Sequence, residues 1–344
     1  MFVFVCLCAL YLMCGQIQCK CTSIFHIKKY FSNYFYFKSY FCGVKYLKPL
    51  GNSARIAVCA PARKISKSEI IPFEKWCKSN FGDLFYSENL FLEYHQFSGT
   101  DVQRANDLNG IFARTDIDAV FFARGGYGTI HILDMLNFDL LSQNPKWLCG
   151  FSDISALHMH CFSNYAMPTL HSIMPISFLQ YNNDSSFNTS ALLTANFLKN
   201  GQIHYDLPDS FNGVELSNFK IIGGNMSVIY SLLGSRSIPQ NQPFVLFLED
   251  LDEYMYHIDR MLFAFKRASL FTNCIAIFVG SFSDLKDNKV PYGLSVEDIF
   301  KTVLKELNIP IYFGYPSGHT ALNYPIPFGV NANISNNTIT FALD

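Results

Sequence analysis

The stretch LCGFSDISALH (148–158) sets Ser152 two residues after Gly150 and directly before Asp153. A short apolar run leads into the serine and a helix-like pattern leads out of it. Ser152 reads in two ways: as the N-cap of that helix, or as a nucleophile held on a sharp strand-to-helix turn. The segment departs from G-x-S-x-G because Ile154 takes the second glycine position. A nucleophilic serine needs a base, and the base needs an acid to orient it. Nine histidines are available. His158 and His160 lie two positions apart on the helix after Ser152 and cannot share a face, which counts against a metal pair. His171 and His257 have no special local context. His319 lies in GYPSGHTALNYPIPFG (314–329), a loop rich in Gly and Pro directly after the apolar run IPIYF. Packing explains a histidine there poorly. For the acid, Glu249 ends the apolar run FVLFLED, where a buried carboxylate is costly without a partner such as imidazole. Asp250, Asp252 and Glu253 are its rivals.

A second candidate is the glycine loop in FFARGGYGTIH, where Arg124-Gly125-Gly126-Tyr127-Gly128 separates an apolar run from a helical pattern. Consecutive glycines let backbone N–H groups converge on an anion. The plainer alternative is a tight turn that needs positive φ. The spacing is not G-x-G-x-x-G, and no fitting acid follows a later strand, so a dinucleotide is not expected. An oxyanion or carboxylate cradle fits better. Cys19 and Cys21 lack companions at metal-ligand spacing, so neither a metal nor another cofactor is expected.

These residues need elements to aim them. ARIAVCAPA (54–62), DAVFFA (118–123) and KWLCGF (146–151) read as buried strands. SKSEIIPFEKWCKSN, TDVQRANDLNGIFAR and GTIHILDMLNF read as the helices between and around them, with Thr100 and Gln103 placed for a capping box. Strands that are apolar throughout and alternate with helices predict a parallel sheet covered on both faces. Chemistry in such sheets sits at the carboxyl ends of the strands, where Arg124 and Ser152 fall. Residues 181–217 turn polar and read as a linker around a short helix. Beyond it, FKIIGG, PFVLFLED, CIAIFVGSF, IPIYFGY and TITFALD read as strands, with three helices among them. The expected fold is α/β, with a doubly wound parallel-sheet domain over 53–180 and a smaller α/β domain over 218–344. The active site is expected in the cleft between them.

The 344 residues carry a net charge of -1, so no basic field points to nucleic acid. Abundant Phe and Tyr say nothing of function. Cys59, Cys77, Cys149, Cys161 and Cys274 are scattered singly in apolar contexts, as in a reducing compartment. Residues 1–52 stand apart. FVFVCLCALYLMC has the length of a signal-peptide core but no basic residue before it. A signal or anchor, a start placed too early, and an extra segment of the fold all remain open readings.

Taken in order, ARGGYGT, LDMLNFD, KWLCGFSDISALH, IIGGNMS, LFLEDLDEYMYHIDRML and GHTALNYPIPFG resemble the LD-carboxypeptidase family of serine peptidases. APARKIS and HQFSGTDVQRANDLN resemble its Bacteroidota-like members. Phe151 stands where Tyr is common and Met226 where Leu often follows G-G-N. The resemblance implies Ser152 as nucleophile, His319 as base and Glu249 as its orienting acid. An oxyanion hole is then expected from the N–H groups of Gly126 and Asp153, and Arg124, Gly125 and Tyr127 are expected to bind substrate, with Arg124 or the glycine loop taking its free carboxylate. The implied reaction releases terminal D-alanine from murein tetrapeptide in peptidoglycan recycling. Rival readings are a relative cleaving a peptide–nucleotide antibiotic conjugate and an inactive module that binds murein peptides. The expected compartment is the cytoplasm, with export or anchoring through residues 1–20 as the alternative. A membrane enters only if that segment is an anchor. The expected partners are a murein peptide and a second copy of the chain in a homodimer.

Overall fold

The computed structural model describes residues 47–51, 53–240 and 242–343. The expectations for the N-terminal segment lie outside them, except at residues 47–51, where Leu50 is buried and donates its N–H to the Leu198 carbonyl. Up to residue 171 the chain alternates strand and helix: β1 (Ile56–Cys59), α1 (Lys67–Asn80), β2 (Leu84–Tyr86), α2 (Asp101–Ala113), β3 (Ala119–Phe122), α3 (Thr129–Ile132), α4 (Phe138–Gln143), β4 (Trp147–Gly150), α5 (Ser155–Tyr165) and β5 (Thr169–His171). Every residue of β1, β3, β4 and β5 is buried, which requires cover on both faces and explains their unbroken apolar runs. The α2 start forms as its sequence predicts: Thr100 Oγ1 accepts the Gln103 N–H at 3.3 Å, and Gln103 Oε1 accepts the Thr100 N–H at 2.9 Å. GTIHILDMLNF, expected as one helix, is broken. Leu136 is extended and the Asn137 side chain caps a new helix, α4.

The chain continues through α6 (Ser177–Gln180), α7 (Ser185–Asn200), β6 (Gln202–Asp206), β7 (Leu216–Asn225), α8 (Met226–Ser231), β8 (Phe244–Leu251), α9 (Met255–Arg267), β9 (Cys274–Ser283), α10 (Val296–Leu304), β10 (Ile311–Phe313), β11 (Ile326–Phe328), β12 (Asn331–Ser335) and β13 (Thr338–Ala342). The stretch 181–217, read as a linker, is mostly regular structure. Its 16-residue α7 buries Phe187, Ala191, Ala195, Phe197 and Leu198 beneath a face of Asn, Ser and Thr. Its β6 alternates exposed and buried residues as an edge strand does. The polar faces of both elements are what resembled a linker.

Two sheets result. One runs β11-β5-β4-β3-β1-β2, parallel except where β11 meets β5. The other runs β10-β9-β8-β7-β12-β13-β6, parallel from β10 to β7 and antiparallel beyond. In the first sheet β2 lies on one side of β1 while β3, β4 and β5 follow on the other. The direction of winding therefore reverses between β1 and β3, the point where open α/β sheets form a crevice at their carboxyl edge. The expected two-domain α/β architecture is what the structure has. One feature was not foreseen: β11, from the C-terminal part, crosses back to extend the first sheet, with Ile326 opposite His171 and Phe328 opposite Thr169. Pro327 is tolerated there because β11 is an edge strand. Among the described residues, no helix is long and apolar enough to cross a membrane.

Candidate functional site

Ser152 follows the end of β4 and has φ 64°, a left-handed conformation unusual for a residue with a side chain. Such a backbone costs on the order of 1–3 kcal/mol and persists only where its surroundings over-determine it. Here they do. The Thr129 N–H at the start of α3 donates to Asp153 Oδ2 at 2.8 Å. The buried His158 donates from Nε2 to the Gly150 carbonyl at 2.9 Å. The Asn225 N–H, at the end of β7, donates to Ser155 Oγ at 2.9 Å, which ties α5 to the second sheet. Ile154 is buried and packs against Gly150, so this turn accommodates a branched residue where the usual motif has glycine. Ser152 itself is 9% exposed.

His319 donates from Nδ1 to Glu249 Oε2 at 2.6 Å and accepts at Nε2 from Ser152 Oγ at 2.9 Å. Glu249, near the end of β8, is fully buried, and its Oε1 has no partner among the described residues. Burial alone would make the His319 imidazolium harder to form, but the charge and hydrogen bond of Glu249 outweigh it and raise the pKa above its ordinary value. Asp250 points elsewhere. It accepts from Asn225 Nδ2 and from the Ser227 and Leu251 N–H groups, each at 2.8 Å. Burial, and then the neighbouring Glu249 charge, pushes it up to about 7. Asp252 pairs with Lys286 at 2.6 Å and Glu253 with His257, so neither reaches His319. His160 is spent on Ser237, bonding its Oγ through Nδ1 at 2.9 Å.

The glycine loop closes against this trio. A β-carbon on Gly125 would lie 2.7 Å from Ser152 Cβ and 2.8 Å from its Oγ, so only glycine lets the backbone approach the serine this closely. Gly126 has φ 105°. No protein acceptor among the described residues takes the N–H of Gly126 or of Asp153. Arg124 Nη1 lies 3.4 Å from the Lys64 carbonyl oxygen and 3.6 Å from Glu69 Oε1. Tyr127 is half exposed and its hydroxyl lies 3.1 Å from His131 Nε2.

Three residues that support this arrangement escape sequence reasoning. Arg104, buried within α2, donates from Nη1 to the Pro61 and Gly128 carbonyls, the latter at 2.9 Å, and so joins the β1–α1 loop to the glycine loop. Asn323 Oδ1 accepts from Ser317 Oγ at 2.7 Å, from the Gly318 N–H at 3.2 Å and from His171 Nε2 at 3.2 Å, clamping the segment before His319. Arg63 lies across Gly126. Only for Arg63 did the sequence carry a signal, its place just past the carboxyl end of the first strand.

The geometry is that of a hydroxyl polarised by an imidazole, itself fixed by a buried carboxylate. This suits nucleophilic attack on a carbonyl carbon. Residues 56–172 match the family model described as the LD-carboxypeptidase N-terminal domain, and 220–334 the model of its C-terminal domain. The murein tetrapeptide carboxypeptidase of Pseudomonas aeruginosa is 29% identical over 295 residues, 83% of this chain and 94% of that protein. The probable murein peptide carboxypeptidase of Bacillus subtilis is 26% identical over 304 residues, 83% of this chain and 90% of the other. The muramoyltetrapeptide carboxypeptidase of Oxalobacter formigenes shares the fold, with a TM-score of 0.74 at 22% identity over 84% of this chain and 99% of its own. So does the microcin C7 self-immunity protein MccF in complex with aspartyl sulfamoyl adenosine, with a TM-score of 0.76 at 19% identity over 87% and 99%. With both domain models matched in order along one chain, this protein belongs to the LD-carboxypeptidase family.

Proposed function

We propose that this carboxypeptidase removes the terminal D-alanine of murein tetrapeptide, cleaving the bond between an L and a D residue, in peptidoglycan recycling. The observation that carries the reading is the continuous hydrogen-bonded relay Ser152–His319–Glu249, built from both sheets of the fold. Ser152 Oγ attacks the scissile carbonyl carbon and its proton passes to His319 Nε2. The developing oxyanion accepts from the N–H groups of Gly126 and Asp153, each donor contributing about 3–4 kcal/mol of transition-state stabilisation. The C–N bond then breaks, and His319 returns the proton to the departing D-alanine amine. Water attacks the resulting acyl ester with His319 again as base, releasing the shortened peptide and restoring the serine. Glu249 holds the tautomer that carries hydrogen on Nδ1 and stabilises the imidazolium. In this reading Gly125, which lies against Ser152, and Tyr127 contact the substrate. Arg124, engaged by Glu69 and the Lys64 carbonyl, fixes the loop that presents them.

The test is incubation of the full chain with murein tetrapeptide, with D-alanine measured by mass spectrometry. Ser152→Ala is expected to lower kcat by about 10⁴-fold or more with folding intact. D-alanine release at the wild-type rate from that variant would refute the nucleophile.

A further inference from the structure

An exopeptidase that takes one residue must recognise a free carboxylate close to the scissile bond. The carboxylate carbon lies three bonds from the scissile carbonyl carbon, within about 3.8 Å. Its receptor must therefore stand next to the groups that hold the reacting carbonyl. Adjacent residues of the glycine loop mark both places. Gly125 touches Ser152, and at Gly126 a β-carbon would lie 2.5 Å from Arg63 Cδ and 2.7 Å from its Nε. Arg63 and the glycine loop follow β1 and β3, on the two sides of the crevice where the sheet reverses its winding. Arg104 braces the two loops against each other, so the Arg63 backbone is preset.

Charge pairing singles out the same residue. Lys64 pairs with Glu93, Arg104 with Asp101 and Arg124 with Glu69. Arg63 is exposed and makes no ion pair among the described residues. A guanidinium presents a planar fork that matches a carboxylate in a bidentate manner.

We infer that Arg63 binds the C-terminal carboxylate of the substrate and sets the requirement for a free C-terminus. This rests on the carboxypeptidase reading. It moves the carboxylate from Arg124, whose guanidinium is already engaged, to a side chain that has nothing else to bind.

The experiment compares murein tetrapeptide with its C-terminal amide on wild type, Arg63→Met, Arg63→Lys and Arg124→Met. Arg63→Met is expected to lower kcat/KM on the free acid by about 100-fold, chiefly through KM, and to change the amide by less than about 3-fold. The acid-over-amide preference then collapses. Arg63→Lys keeps part of it, and Arg124→Met keeps the wild-type ratio. An unchanged acid-over-amide ratio in Arg63→Met, in a chain that still releases D-alanine, overturns the inference and leaves the carboxypeptidase reading standing. A wild-type chain that releases no D-alanine from the tetrapeptide overturns both.

Discussion

A buried carboxylate with one oxygen on an imidazole and the other unpartnered is stable only because the imidazole responds to it. Glu249 raises the His319 pKa above its ordinary value against the opposing pull of burial. To serve as the proposed base His319 must be neutral, so kcat/KM should decline with acid along a limb whose midpoint lies above about 6.5. A pH–rate profile for wild type and Glu249→Gln checks this. The variant should move the limb to lower pH and reduce kcat by about 10⁴-fold, since the amide no longer enforces the productive tautomer. An acid limb that stays in place would mean that another group titrates. Ser152, Glu249 and His319 were readable because each is chemically out of place: a serine at the end of an apolar strand, an acid inside one, a histidine on a glycine-rich loop. For Arg63 the sequence offered only its place past the first strand, because folding alone lays the loop after β1 against the loop after β3.

The elements differ in how plainly the sequence announces them, and the reason is the range of their contacts. β1, β3, β4 and β8 are apolar runs whose burial shows in composition alone. β5 and β11 have three residues each, one containing a histidine and the other a proline; β5 also pairs with β4, but β11 joins the first sheet only by pairing with β5 across more than 150 positions of sequence. The His319 loop runs from β10 to β11 and is held by Asn323, which joins it to β5 through His171. Asn323→Ala should lower kcat about 100-fold with little change in KM, since an error of about 1 Å in placing a base has that effect. Steady-state kinetics on murein tetrapeptide would show it. A parallel rise in KM would instead indicate a general collapse of the site.

For the whole molecule, the interior carries an acid-labile element. Burial holds His158 down to about 4, against the hydrogen bond to Gly150, and lowers His171 as well. Between about 6.5 and 4 the unfolded chain takes up protons that these buried rings refuse, so their contribution is fully present above 6.5 and is lost as pH falls towards 4. Asp250, pushed up to about 7, acts in the opposite sense over the same window. The His158 share is therefore read as a difference: between pH 7 and 4.5, the urea midpoint of wild type should drop further than that of His158→Gln. The return of β11 to the first sheet has a consequence for synthesis. On the ribosome, β5 stays an open edge until residues 326–328 have emerged, long after the serine itself has been made. A chain that stops before residue 326 would thus keep that edge open and be prone to sticking to its neighbours.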